Sequence, residues 1–134
     1  MTIIRLKHDE RGAAAIEMAM ALPILVAMIY GIFQVGLLYQ ANAGMQHALG
    51  EGARYATLCI PSGSTCNSPS NTAIKFRIAT KLFGKGDGNF TVADPVSGTG
   101  YKQLSVSYSK KMNFLFMTGP TVTLTRSKKA YTVI

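Results

Sequence analysis

One carboxylate stands in a long apolar segment near the N-terminus, and a glycine precedes it by five positions. These residues are Gly12 and Glu17, and the segment Met18–Tyr39 contains no charged residue. As a helix this segment would extend about 33 Å, enough to cross a bilayer. A carboxylate at the start of such a helix is costly to bury and needs a positive partner. Cleavage after Gly12 would give Ala13 a positive amine, which could meet Glu17 of a neighbouring copy.

The simplest alternative is that Glu17 has no partner. The acid lies only a few residues inside the apolar segment. It could stay protonated there, or its side chain could reach the aqueous edge of the membrane.

Three sequence blocks carry a family resemblance. The chain start is similar to the class III signal of type IV pilin-like proteins, with a short basic leader, a glycine, four apolar residues, a glutamate and a long apolar helix. It resembles TadE-like proteins of tight-adherence (Flp) pilus systems more closely, through Arg11–Glu17, Ala21–Pro23 and Glu51–Ala56. The resemblance covers roughly residues 1–58. One departure is Met18, where pilin-type signals usually have an aromatic residue.

The resemblance implies a function in assembly. A membrane-embedded aspartyl prepilin peptidase would cut between Gly12 and Ala13, and the product would be a minor pilin-like subunit, a pseudopilin, of a tight-adherence pilus. Its partners would be that peptidase, other pilins and pseudopilins, the inner-membrane assembly platform and membrane lipid. The chain would be a substrate of the peptidase and no enzyme itself.

Charge and hydropathy predict three regions: a cytoplasmic leader (1–12), a transmembrane helix (13–39) and a periplasmic domain (40–134). The cations Arg5, Lys7 and Arg11 precede the apolar segment, and the next cation is Arg54. Because cations near a span stay on the cytoplasmic side, the N-terminus should be cytoplasmic. We therefore expect a single-pass protein of the bacterial inner membrane, with its incorporation in a surface pilus left open.

The predicted domain is α+β, with the helix continuing past the membrane as a stalk from Gln40 to about Leu58. A stripe of small residues recurs on it at every fourth position, namely Gly44, Ala48, Gly52 and Ala56. Such a stripe lets another element approach closely. That element could be the chain's own second helix and sheet, or another subunit. An ion pair within the stalk, between Glu51 and Arg54, is also possible at this spacing.

Two cysteines, Cys59 and Cys66, lie in the segment 59–70, which is rich in serine, glycine and proline and predicts a loop. An exported domain of this size benefits from a disulfide, and the periplasm permits one. The alternative is two free thiols in a loop. Two cysteines without further ligands are poor evidence for zinc, and no metal or cofactor is expected.

The remaining elements follow from periodicity. Isoleucine and leucine at four-residue spacing predict a second helix over 71–83, capped by Ser70 or Asn71 and ended by Gly84. Alternating residues predict about three antiparallel strands, over 89–93, 103–109 and 121–125, the last running on through basic residues toward Val133. The connection 112–117 is unusually apolar, and it could cover the core, meet the membrane or contact a subunit.

The net charge of +8 could attract nucleic acid, anionic lipid or an acidic protein, but a solvated surface is the simplest interpretation. No aromatic-basic motif of a nucleic-acid-binding fold is present. His8 and His47 lie on opposite sides of the predicted membrane and form no catalytic group. The segment 84–88 lacks the ligand series of a calcium loop and predicts a turn.

Two other functions remain open from the residues alone. An ordinary signal peptide cut after Ala43 would release a secreted protein, although the apolar segment is too long for one and contains Glu17. An uncleaved anchor could instead present a basic binding module. The first residue of the mature protein separates the three: Ala13 for the pseudopilin, Gly44 for the secreted protein, Met1 for the anchor.

Overall fold

A computed structural model describes residues 10–62, 65–114 and 117–132, with side chains left out at residues 10, 11, 62 and 65. The predictions for residues 1–9, which include most of the leader and His8, lie outside the described residues.

The first helix, α1 (Glu10–Ala56), is 47 residues long and joins the predicted membrane helix and stalk without a break. It begins three residues before the predicted start at Ala13, and it continues through Pro23. Its last turn closes through hydrogen bonds from Thr57 N–H to Ala53 O (3.2 Å) and from Leu58 N–H to Tyr55 O (3.1 Å). Pro61 follows shortly after the helix, and a proline disfavours helical backbone at the residue before it, here Ile60. The helix therefore ends just short of the predicted Leu58.

A two-stranded antiparallel hairpin follows, where the sequence predicted only a loop. Its strands are β1 (Ile60–Ser62) and β2 (Thr65–Asn67), with Pro61 opposite Cys66. The Cys59–Cys66 disulfide ties the base of this hairpin. Serine, glycine and threonine dominate the segment, so no hydrophobic alternation predicted its strands.

The second helix, α2 (Asn71–Lys81), is amphipathic as predicted and buries Ile74 and Ile78. Ser70 caps its start, because its hydroxyl accepts a hydrogen bond from Ala73 N–H at 3.2 Å. The helix ends before the predicted Phe83 because Leu82 adopts extended backbone. Gly84 then turns the chain with a φ of 76°, a conformation that favours glycine.

Four strands form one antiparallel sheet: β3 (Asn89–Val92), β4 (Val96–Gly98), β5 (Tyr101–Phe114) and β6 (Met117–Tyr131). The long strand β5 is central. β3 and β4 pair one after the other along one of its edges, and β6 pairs along the other. The α+β class is confirmed. The prediction of an apolar connection at 112–117 was wrong in extent, because residues 112–114 and 117 belong to the ends of β5 and β6.

The hydrophobic core lies between the C-terminal third of α1, α2 and one face of the sheet. On β5 the alternating residues Leu104, Val106 and Tyr108 point into this core. They meet Met45 and Leu49 of α1. Burying large apolar side chains contributes about 1.5–3 kcal/mol each, so this third of α1 is fixed to the domain.

Candidate functional site

The N-terminal end of α1 carries the residues predicted to take part in processing and assembly. Gly12, Ala13 and Glu17 all lie exposed on this helix. Ala13 and Glu17 are four residues apart, which places them on the same face and about 6 Å apart along the helix axis. Within the described part of the chain, the Glu17 carboxylate is in no ion pair. A partner from another molecule could therefore reach it.

The apolar segment of α1 is not covered by the chain's own domain. Its aliphatic side chains from Ile16 to Phe33 are exposed. Only 6% of the most apolar 18-residue stretch is buried. Such a surface needs lipid or other apolar helices around it. The helix thus fits a single-pass membrane anchor.

The stripe of small residues lies inside the chain's own domain. A side chain at Gly44 would collide with the backbone of Phe83, just after α2. A side chain at Gly52 would collide with Ile78 of α2. Ala48 and Ala56 are fully buried. Of the two alternatives open from the sequence, the structure places the stripe against the chain's own second helix and the segment after it.

Glu51, in the Glu51–Ala56 block, forms an ion pair between the two helices and not the pair within α1 that the sequence suggested. The Glu51 carboxylate lies 3.7 Å from the guanidinium of Arg77 on α2. Arg54, the partner considered from the sequence, is exposed and bonds through its carbonyl to the Thr57 hydroxyl at 2.8 Å. The possible Glu51–Arg54 pair is thus replaced by a pair between helices. Because both groups are partly exposed, this pair contributes little to stability.

The basic surface is largely solvated, and several of its cations have local partners. Lys75 forms an exposed ion pair with Asp94 at 2.7 Å. Lys129 lies 4.8 Å from the centre of the Tyr101 ring. His47 is exposed and packs edge-on against Phe83, with ring centres 5.7 Å apart. Across the described residues, no group of three or more histidine, cysteine or acidic side chains could hold a metal ion.

The glycine-rich segment 84–88 forms the predicted turn and packs against β5. Its Lys85 carbonyl accepts a hydrogen bond from the Tyr108 hydroxyl at 2.8 Å. Burial raises the pKa of Tyr108, and the nearby Asp87 carboxylate raises this pKa further, while a backbone hydrogen bond from Gly88 acts in the opposite direction. Asp87 also lies 3.5 Å from the Nζ atom of Lys110.

Two buried polar residues were missed by the sequence interpretation. Gln34 lies within the apolar segment of α1 and is 3% exposed. Its side-chain amide donates a hydrogen bond to the Asn113 carbonyl at 3.3 Å. Lys110 is almost fully buried on the inner face of β5. Gln34 had a signal, because it is the only amide between Met18 and Tyr39. Lys110 had no such sequence signal, since it stands between the polar residues Ser109 and Lys111.

Comparison with known proteins gives a match to a family model. No curated protein and no solved structure shows significant similarity to the chain. The family model described as TadE-like protein matches residues 12–54, from the predicted cleavage site to near the end of the stalk. This segment holds Glu17 and the first three small residues of the stripe. The match suggests a protein associated with the tight-adherence pilus. The resemblance to TadE-like proteins is thereby confirmed over residues 12–54.

Proposed function

We propose that this chain is a minor pilin-like subunit, a pseudopilin, for assembly of a tight-adherence pilus. A prepilin peptidase cuts the precursor after Gly12, and the chain is the substrate in that reaction and not an enzyme. The main support is an exposed apolar helix that carries the outward-facing Glu17 just after Gly12. The TadE-like match covers the same residues.

The new amine and the acid explain how such subunits would associate. Cleavage makes Ala13 the first residue, and its ammonium group can approach Glu17 of an adjoining copy. In a low-dielectric environment this pair is much stronger than in water, and either charge left alone is costly. Because Ala13 and Glu17 lie one helical turn apart, level pairing requires a stagger of about 6 Å between neighbouring helices. The charge pair would therefore fix the register of packing.

The proposed location is the bacterial inner membrane, with the N-terminus cytoplasmic and the folded domain periplasmic. The cations Arg5, Lys7 and Arg11 support this orientation. The Cys59–Cys66 disulfide supports an oxidising compartment for the domain. Partners are the peptidase, other pilins and pseudopilins, and the assembly platform.

Two variants test cleavage and assembly separately. Gly12→Ala should accumulate uncut precursor, because the peptidase needs glycine before the cleaved bond. Glu17→Ala should be cut normally but recovered in smaller amounts with pilus components. Ile16→Ala is the control, since it alters the neighbouring exposed side chain and keeps the charge. The processed fraction is measured by intact mass, and incorporation by the amount that co-purifies with sheared pili or the platform.

Unaltered processing of Gly12→Ala would show that the cleavage site is misplaced. Normal incorporation of Glu17→Ala would remove the charge-pair role. Because both positions are remote from the hydrophobic core, the thermal unfolding of the domain should not change in any of these variants.

A further inference from the structure

We propose that the end of the β5–β6 hairpin is a second membrane contact, inserted in the leaflet on the side of the folded domain. This hairpin tip is defined as residues 112–114 and 117–118. The proposal needs α1 to span a membrane, which is part of the proposed function. It does not need cleavage or a pilus.

The position of the hairpin tip along α1 sets its depth. The Gln34 amide donates to the Asn113 carbonyl at 3.3 Å, so these residues lie at the same height. Gln34 precedes Tyr39, the end of the uncharged segment, by five residues or about 7 Å of helix. The uncharged segment is about as long as the hydrocarbon core is thick, ~30 Å. When α1 spans the bilayer, Asn113 therefore lies below the edge of the hydrocarbon region.

The hairpin covers the polar side chain of Gln34 at this depth. Gln34 is 3% exposed and would present its amide to lipid if the hairpin were absent. The backbone ladder between β5 and β6 is irregular between Lys111 and Asn113 and resumes in the pairs Asn113–Thr118 and Phe114–Met117. Backbone groups in hydrocarbon must be satisfied within the protein, and these two pairs satisfy the groups that the two strands turn toward each other. The facing backbone groups at the end of the hairpin are therefore paired where it meets lipid.

Two large side chains of the hairpin tip suit the same depth. Phe114 is 41% exposed and Met117 is 69% exposed, so two large apolar side chains lack cover from the described domain. Lys111 is exposed two residues from Asn113 on the side away from the tip. At about 3.3 Å per residue, Lys111 lies up to ~7 Å above Asn113, near the lipid headgroups. A cation at that level is attracted to anionic headgroups.

A groove lies between α1 and β6, and its lining changes from apolar to basic residues, as the side chains do from the hairpin tip to Lys111. Val35, Leu38 and Leu124 line its apolar part. Asn42 and Arg126 line its polar part, where Arg126 Nε donates to Asn42 Oδ1 at 2.8 Å. Asn42 lies three residues beyond Tyr39, so this pair falls just outside the hydrocarbon edge. The surfaces of α1 and β6 thus both become polar at the level of the hydrocarbon edge.

Spin labels in proteoliposomes test the contact on the full chain. A nitroxide is attached to Met117→Cys at the hairpin tip. Phe33→Cys on exposed α1 is the hydrocarbon reference, and Val96→Cys on exposed β4 is the aqueous reference. Cys59 and Cys66 do not react, because they are joined in a disulfide. The measured quantity is the ratio of collisions with oxygen, which partitions into hydrocarbon, to collisions with a water-soluble nickel chelate.

We expect the Met117 label to match the Phe33 label and to exceed the Val96 label in this ratio. A Met117 ratio equal to that of Val96 would overturn the membrane contact and leave the pilus proposal standing. Shielding of Met117 from both reagents, with spin broadening that is lost on dilution by unlabelled protein, would overturn it in favour of a second copy. A water-exposed Phe33 label would overturn the contact and the membrane anchor together.

Discussion

Gly44 faces the main-chain carbonyl of Phe83 so closely that a methyl group at position 44 would overlap the carbonyl oxygen. The contact joins α1 to the segment that leaves α2. Because the obstacle is backbone, it cannot rotate away as a side chain could. The glycine therefore lets the end of α2 lie directly on the long helix.

Gly44→Ala should destabilise the domain by at least about 1 kcal/mol, because overpacking against a fixed backbone outweighs the gain in helix propensity. Gly50→Ala is the matched control on the same helix, since its new methyl group would meet only the flexible Lys128 Nζ atom at 3.9 Å. That control should stabilise the protein by up to about 1 kcal/mol. Thermal unfolding in mild detergent measures both. Equal unfolding temperatures would contradict the close approach.

Gly52 makes the second close approach, against the side chain of Ile78. Gly52→Ala should cost about 1–3 kcal/mol through overpacking, and Ile78→Ala about 2–5 kcal/mol through the cavity it leaves. The double variant should cost clearly less than the sum, because the new methyl group occupies part of that cavity. Denaturant unfolding of the four proteins gives the coupling energy. Additive costs would show that the two residues are not in contact.

Tyr108 should make stability fall at alkaline pH. Burial and the Asp87 carboxylate raise its pKa above 10.0 in the folded protein, so the unfolded chain loses the phenol proton first. The stability from the buried neutral phenol is complete below about pH 10 and is lost as pH rises toward the folded-state pKa. Tyr108→Phe should reduce the unfolding free energy by about 1 kcal/mol at neutral pH, because it removes the 2.8 Å hydrogen bond to Lys85 O. Its stability should then decline less steeply above pH 10.

The control for this pH effect is Tyr131→Phe, which alters an exposed phenol. Its unfolding free energy should follow that of the parent protein across the same pH range. Parallel curves for Tyr108→Phe and the parent would refute the prediction that the buried phenol carries the alkaline loss.

The Cys59–Cys66 disulfide should stabilise the β1–β2 hairpin more than it stabilises the domain as a whole. Among the described elements, the β1–β2 hairpin packs only on itself, so it can open without disturbing the core. Closing a loop of this length is worth about 2–3 kcal/mol to the hairpin in the chain-entropy model. The Cys59→Ser/Cys66→Ser double variant should therefore keep nearly the same unfolding temperature but be cut rapidly by proteinase K within 59–67. A large loss of unfolding temperature would instead place the hairpin in the cooperative core.

Local patterns were sufficient for three of the elements. The uncharged segment predicted the N-terminal part of α1, and the alternation from Gln103 to Ser109 predicted the centre of β5. Ser70 was one of the two residues predicted to cap the start of α2. In each case the pattern belongs to one element and needs no knowledge of its neighbours. The exposed strand β4 has no such pattern, and it forms because the edge of β5 is available to it.

Contacts between residues that are distant in the sequence could not be predicted from local patterns. Gln34 and Asn113 are separated by 79 positions, and their hydrogen bond depends on where the whole sheet docks on α1. The partner of Glu51 is Arg77 of α2 for the same reason. Met112 was assigned to a connection, but β5 extends through it and buries its side chain. For the N-terminal site, the motif placed Gly12 and Glu17, while the structure added that the acid is exposed.

The most direct test of the proposed pseudopilin function is the intact mass of the protein extracted from the inner membrane of the bacterium that produces it. We expect a chain that begins at Ala13, with its amine free or modified. A chain that retains Met1, or one that begins at Gly44, would contradict processing by a prepilin peptidase and the charge pair with Glu17 that depends on it.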